Sequence, residues 1–140
     1  MSEQNVQIVA ELYELYARGD VDGLLDRVDP DVEVDLTARL PDEPVLRGRE
    51  AYRTFLREGF EIWAEFRIDV EELIDAGDAV VVLVRSMAVG EGSGAEVSER
   101  VAHVVWLRDG TPYRMRMFGD REAALKAIRP PGEPSSVERA

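Results

Sequence analysis

The chain has 140 residues, of which 45% are hydrophobic, and a formal net charge of −12 at pH 7. This length fits one domain with a substantial core. The acidic charge argues against nucleic acid or an anionic membrane as a partner, because both are bound through basic patches. The chain has no cysteine and one histidine, which excludes disulfides, thiolate metal sites and multi-histidine metal sites.

The longest unbroken apolar run, Ala79 to Val84, is too short to span a bilayer. No secretory signal pattern precedes the first predicted helix. The glycines of the segment Gly90 to Gly94 match neither a phosphate-binding loop nor a dinucleotide fingerprint. We therefore expect a cytoplasmic protein with no membrane partner, no cofactor and no metal.

The N-terminal half predicts three helices, one strand and one loop. Apolar residues at helical spacing place helices at Val6–Ala17, from the cap residue Asp20 to Val28, and at Gly48–Trp63. Residues Val32 to Thr37 alternate between apolar and polar side chains, which is typical of a strand. Residues Ala38 to Arg47 contain two prolines and no periodicity, which indicates a loop.

The C-terminal half predicts four strands, a small helix and a tail. Strands are expected at Phe66–Ile74, at Ala79–Val89 and on both sides of Asp109-Gly110 within Val97–Phe118. The Ala79 strand is the most apolar of the four and should be central in the sheet. Asp120 can cap a helix that ends at Ile128. We therefore expect one domain over residues 1–128 and a flexible C-terminal tail over residues 129–140, which is rich in proline.

The hairpin at Asp109-Gly110 contains the only histidine, and the turn decides which way it faces. A two-residue loop would pair His103 with Arg116, whereas a three-residue loop with a bulge would pair it with Met115. A shift of one residue turns every side chain of a strand to the other face. The pattern leaves both pairings open.

The order of elements resembles the nuclear-transport-factor-2-like, or cystatin-like, superfamily, and within it the SnoaL-like polyketide cyclases and ketosteroid isomerases. The resemblance is carried by Ala17–Asp35, the Gly48 helix, Val70–Arg85 and Ala102–Leu125, and it covers about Val6 to Ile128. It implies an α+β fold in which a curved antiparallel sheet wraps around helices to form a cone-shaped pocket. It also implies a homodimer through the outer face of the sheet.

By this resemblance, Asp35 stands where ketosteroid isomerases carry their general base. A carboxylate in an apolar cup would have its pKa raised toward neutrality, which suits proton abstraction beside a carbonyl. The alternative is a solvent-facing residue beside Glu33. The tyrosine that donates to the oxyanion in those enzymes would fall on Leu12, with Tyr16 one helical turn away, and their second acid would fall near Ala102.

Two further groups of side chains are candidates for the site. His103 is an acid or base at neutral pH, or else a hydrogen-bonded residue of the sheet or of a dimer interface. Asp120 loosely matches an acid of SnoaL-type cyclases, or else is only a helix cap. Large apolar and aromatic residues are expected to line a ligand cavity, with plain core as the alternative: Trp63, Trp106, Met115, Met117 and Tyr52.

We therefore expect a pocket protein that binds an apolar, oxygenated small molecule, such as a polyketide, steroid-like or terpenoid compound. If it is an enzyme, it performs cofactor-free acid–base chemistry: isomerisation, cyclisation, dehydration or hydrolysis. Asp35 would be the base, and His103 or Tyr16 would stabilise developing negative charge or return the proton. The alternative is a non-catalytic ligand-binding or dimerisation module of the same fold.

Overall fold

A computed structural model describes residues 2–38, 42, 45–62, 65–90 and 92–128, without the side chains of residues 2 and 60–62. The predicted tail at residues 129–140 lies outside the described residues, so the predicted domain division stays a prediction. Within these ranges the chain forms four helices and six strands. The helices are α1 (Ser2–Ala17), α2 (Val21–Leu25), α3 (Arg49–Ile62) and α4 (Arg121–Ala127), and the strands are β1 (Glu33–Asp35), β2 (Leu46–Arg47), β3 (Glu65–Asp75), β4 (Ala79–Val89), β5 (Glu96–Arg108) and β6 (Thr111–Phe118).

The strands form one curved, unclosed sheet in the order β2-β1-β6-β5-β4-β3. The predicted α+β fold with a curved sheet is confirmed. The sheet is not wholly antiparallel, because β1 runs parallel to β6. The two-residue strand β2 lies within the segment predicted as a loop. Strand β4 is interior, between β3 and β5, but it stands one place from the edge rather than at the centre.

The sheet buries side chains on both of its faces. The concave face packs against α1, α2 and α3 through a core that includes Val9, Leu25 and Val82. The convex face packs against α4 through a second core that includes Val104 and Ala124. Because β4 contributes to both cores, its sequence is a nearly continuous apolar run rather than an alternating one.

The β5–β6 hairpin turns at Asp109 and Gly110, which have φ angles of 52° and 79°. Two consecutive positive φ values are typical of the tight turn that matches the twist of a hairpin. A β-bulge at Tyr113 then shifts the register, and His103 pairs with Met117. Both predicted pairings of His103 are wrong, because the sequence signals for the turn contain no sign of a bulge three residues later.

No helix of the described ranges is long and apolar enough to cross a membrane.

Candidate functional site

A cavity of about 470 Å³ lies between the concave face of the sheet and helices α1 and α3. Its inner wall is mainly apolar, and the buried residues there include Leu12, Leu56 and Met115. At its other end the wall is exposed to solvent, where Val97 keeps 51% of its surface accessible. The cavity therefore has a closed apolar floor and an open mouth, which suits a small molecule with a hydrophobic body.

His103 is the one polar or charged residue among the described residues that is buried, with 4% of its surface exposed. It lines the cavity from β5, and its Nδ1 lies 2.6 Å from the hydroxyl oxygen of Tyr13 on α1. The two rings also stack, with centroids 5.9 Å apart. The direction of donation in this hydrogen bond sets the tautomer of the imidazole, and so whether the ring is ready to give or to take a proton.

Three tyrosines line the same cavity: Tyr13 and Tyr16 from α1, and Tyr52 from α3. Burial raises the pKa of all three phenols above the ordinary value, and nearby phenols raise those of Tyr13 and Tyr16 further. The hydroxyls therefore stay protonated at neutral pH. A neutral phenol in an apolar wall can donate a hydrogen bond to a ligand oxygen.

The family model of the SnoaL-like domain matches residues 9–115 of the chain. The chain belongs to the SnoaL-like domain family. A search of curated proteins gave no match. The fold of this SnoaL-like chain is similar to that of a candidate SnoaL-like polyketide cyclase from Jannaschia sp. CCS1, with 27% identity and a TM-score of 0.72 over 94% of this chain and 96% of that chain.

Two further solved structures share the fold. TerC, co-crystallised with polyporic acid, is 23% identical with a TM-score of 0.73, over 89% of this chain and 98% of that chain. SalBIII, an epoxide hydrolase/cyclase-like enzyme of pyran ring formation in the polyether salinomycin, is 21% identical with a TM-score of 0.72. That match covers 86% of this chain and 93% of the SalBIII chain. At these identities the likeness establishes the fold alone.

Five of the residues that the sequence suggested line the cavity of this SnoaL-like domain. They are His103, Tyr16, Tyr52, Met115 and Met117. Trp106 does not line it, because it alternates with Val105 and points to the convex face, where the guanidinium of Arg114 lies 4.8 Å above its ring. Trp63 lies outside the described residues.

Asp35 does not line the cavity. It follows Val34 on β1 and points to the convex face, where its Oδ2 lies 3.4 Å from Nε of Arg116. Its Oδ1 accepts hydrogen bonds from the backbone nitrogen and the hydroxyl of Thr37, at 2.9 and 2.6 Å. The side-chain hydrogen bond from Thr37, together with the nearby guanidinium groups, lowers the pKa of Asp35. The predicted rise in its pKa is therefore wrong.

Asp120 is the N-cap of α4, and its Oδ1 accepts a hydrogen bond from the backbone nitrogen of Ala123 at 2.8 Å. It is exposed, and it is not among the described residues that line the cavity.

The sequence analysis missed Tyr13 as a site residue. The signal was present, since Tyr13 and Tyr16 are three residues apart and share one face of α1. It also missed Glu58 and Glu99, which line the mouth from α3 and β5. Nothing in the sequence around these two glutamates distinguishes them from other solvent-exposed acidic residues. The described residues include no group of three or more histidine, cysteine, aspartate or glutamate side chains that could hold a metal ion.

Proposed function

We propose that this protein binds an apolar, oxygenated small molecule in the cavity and catalyses proton transfer on it without a cofactor. The observation that carries the proposal is the hydrogen-bonded pair of Tyr13 and His103 in the wall of a mainly apolar cavity. Polyketide, steroid-like and terpenoid compounds are the substrate classes that fit a cavity of this size and polarity.

In the proposed mechanism, His103 takes a proton from the carbon beside a ligand carbonyl and returns it elsewhere on the ligand. Imidazole suits this step because it exchanges protons near neutral pH. Tyr13 holds the ring in place and fixes its tautomer through the 2.6 Å hydrogen bond. The protonated hydroxyl of Tyr16 donates to the carbonyl oxygen, which carries the negative charge of the enolate.

His103 replaces Asp35 as the proposed base. Asp35 is ion-paired with Arg116, its pKa is lowered, and β1 turns it away from the cavity. A carboxylate with a lowered pKa is a weaker base than an ordinary one. The family resemblance adds a homodimer to the proposal, and the location we propose for it is the cytoplasm.

Names of structural relatives support the substrate class. The Jannaschia protein is a candidate polyketide cyclase, and SalBIII is an epoxide hydrolase/cyclase-like enzyme of a polyether. Ring closure of either kind requires proton transfer to or from oxygen or carbon. TerC was crystallised with polyporic acid, which makes this compound a sensible member of a first binding panel.

The proposal can be tested without the natural substrate by using 2-tetralone, a small apolar ketone with acidic protons beside its carbonyl. In D₂O, wild-type protein should exchange these protons in a saturable reaction above the buffer rate, measured by proton NMR. His103→Gln should lower the protein-dependent rate by about 100-fold or more, which is the usual worth of a positioned acid–base group. Tyr16→Phe should also lower this rate, and Tyr113→Phe, a tyrosine change outside the cavity, is its matched control.

Two results would contradict the mechanism. Exchange that persists in a folded His103→Gln variant but is lost in Asp35→Asn would return the role of base to Asp35. Binding of 2-tetralone without any exchange would favour a non-catalytic ligand-binding module. Far-ultraviolet circular dichroism and urea unfolding of each variant separate loss of chemistry from loss of folding.

A further inference from the structure

One buried polar group of the cavity has no role in the proposed mechanism. Tyr52 lies on α3 and lines the cavity, and only 5% of its surface is exposed. Its hydroxyl forms no hydrogen bond with any residue that the structure describes, and burial is the cause that raises its pKa. A buried phenol gives up hydrogen bonds to water, so one without a protein partner calls for an explanation.

The hydroxyl oxygen of Tyr52 opens into the cavity. Among the described residues, the side-chain polar atoms that are sealed from solvent without a hydrogen-bond partner are Nε of Arg114 and Nε of Arg116. The oxygen of Tyr52 is not one of them, so a water molecule can still reach it. Because Tyr52 lines the cavity, a ligand that displaces this water meets a hydroxyl whose proton is not yet shared.

The other polar groups of the cavity wall differ from Tyr52. His103 Nδ1 and the Tyr13 hydroxyl are bonded to each other at 2.6 Å. The hydroxyl of Ser86 lies 3.5 Å from the backbone oxygen of Glu99, to which it donates. The carboxylates of Glu58 and Glu99 are exposed at the mouth, where water solvates them. Tyr52 combines deep burial with an unpaired donor.

The position of Tyr52 favours a contact apart from the reacting carbonyl. It reaches the cavity from α3, whereas Tyr13 and Tyr16 reach it from α1. A cavity of about 470 Å³ holds a molecule of more than one ring, so one ligand can meet hydroxyls on both helices. A ligand with no acceptor near Tyr52 would displace water and leave the phenol unpaired, which costs affinity.

We propose that Tyr52 donates a hydrogen bond to a second oxygen of the ligand, and that it thereby selects compounds with a ketone, ether or hydroxyl oxygen apart from the reacting carbonyl. This inference rests on the proposed function, since it narrows the substrate class of the same cavity. Tyr16 binds the carbonyl at which the proton moves, and Tyr52 recognises the rest of the molecule.

Four methoxy-2-tetralones, with the substituent on carbon 5, 6, 7 or 8, test the inference against 2-tetralone as the parent compound. A methoxy oxygen accepts a hydrogen bond but cannot donate one, and the isomers place it at four different points. Isothermal titration calorimetry should find at least one isomer whose affinity relative to 2-tetralone falls about tenfold in Tyr52→Phe. Tyr113→Phe, outside the cavity, is the matched control and should keep this ratio within about twofold of wild type.

Urea unfolding without ligand tests the unpaired hydroxyl separately. Tyr52→Phe removes an oxygen that bonds to no described residue, so the midpoint of unfolding should stay the same or rise. Tyr13→Phe removes the hydrogen bond to Nδ1 of His103 and should unfold at a lower urea concentration.

The outcomes separate the inference from the function on which it rests. If Tyr52→Phe keeps the affinity ratio of all four isomers, or if Tyr113→Phe lowers it equally, the inference alone is overturned. A Tyr52→Phe variant that unfolds at lower urea than wild type, or does not fold, also overturns it, because the hydroxyl then serves the protein. If neither 2-tetralone nor any isomer binds wild type, the proposed small-molecule function is rejected and the inference falls with it.

Discussion

At the scale of single residues, the side that a strand presents matters more than the kind of side chain it carries. Asp35 and His103 both looked like acid–base candidates. His103 alternates with Ala102 and Val104 and so faces the cavity, whereas Asp35 alternates with Val34 and faces Arg116. The carboxylate of Asp35 has a structural role: it holds the turn at Thr37 and joins β1 to β6.

Asp35→Asn should lower the free energy of unfolding by about 1 kcal/mol at pH 7, because the amide keeps an acceptor oxygen for Thr37 but loses the charge that strengthens these contacts. The pKa of Asp35 is lowered in the folded protein, so its stabilisation is fully present above the unfolded pKa of about 3.9. It is lost as the pH falls through the lower, folded pKa. Urea unfolding at pH 7, 5, 4 and 3 should therefore show the wild type and the variant converging only at the acidic end.

Asp69→Asn is the matched control for this titration. Asp69 also lies 3.4 Å from an arginine, Arg67, but its side chain is 51% exposed compared with 14% for Asp35. An exposed ion pair contributes little, so the change should cost less than about 0.5 kcal/mol at any of these pH values. Equal losses in the two variants would remove the special role assigned to Asp35.

The sequence already contained the information needed to correct the predicted role of Asp35. The alternation over Val32 to Thr37 already placed Asp35 on the face opposite Val34, away from the core. The family position suggested the cavity instead, and for this chain the period of the strand was the better guide. Tyr13 was overlooked for a different reason: its partner lies 90 residues away, and no local pattern predicts which strand a helix will face.

At the scale of elements, the β5–β6 hairpin shows which features a local sequence motif predicts and which it does not. Asp109-Gly110 predicted the turn, and the structure confirms it there. The bulge at Tyr113 was not predictable, because the position of a bulge depends on packing across the sheet and not on a short sequence motif. By adding one residue to β6, the bulge brings Met117 opposite His103 on the cavity side.

Gly110→Ala should lower the free energy of unfolding by about 1 kcal/mol, because only glycine adopts a φ of 79° without strain. A methyl group there would meet Ile8 at an ordinary 3.5 Å, so the cost comes from the backbone. Gly110→Asn should cost less, since asparagine tolerates this conformation. Chemical unfolding of both variants measures the difference.

A glycine-to-alanine substitution in a helix should change the free energy of unfolding in the opposite direction, and it serves as the control. Gly59 lies in α3, and a methyl group there would meet nothing within 4 Å. Gly59→Ala should raise the free energy of unfolding by about 0.5 to 1 kcal/mol. A stabilising Gly110→Ala change would mean that the turn does not have the conformation described.

At the scale of the whole molecule, the two faces of the sheet differ in how closely they are packed. The convex face closes against α4 around Val104, whereas the concave face leaves a cavity of about 470 Å³. The sequence predicted the cup but not its extent, because volume depends on how far helices stand from a sheet. An apolar cavity forfeits packing contacts, so the protein gives up stability to keep room for a ligand.

Ala88→Phe should therefore raise the free energy of unfolding by about 1 kcal/mol, because it fills empty apolar space on the concave face. Ala102→Phe makes the same change in the packed core of the convex face and should lower it by about 1 to 3 kcal/mol. Urea unfolding of the two variants compares the faces directly. Destabilisation by both changes would show that the concave side has no space to fill.

The pairing of β1 with β6 joins residues 33–35 to residues 114–116, a separation of 81 residues (114 − 33), or about two thirds of the span from residue 2 to residue 128. Contacts between such distant segments form slowly, since a long loop must close before they contribute. During synthesis on a ribosome, α1 and its Tyr13 emerge long before the strand that holds His103. The apolar face of helix α1 therefore stays exposed until β5 and β6 have been synthesised. We expect chaperone binding to the nascent chain to end only when these two strands have emerged.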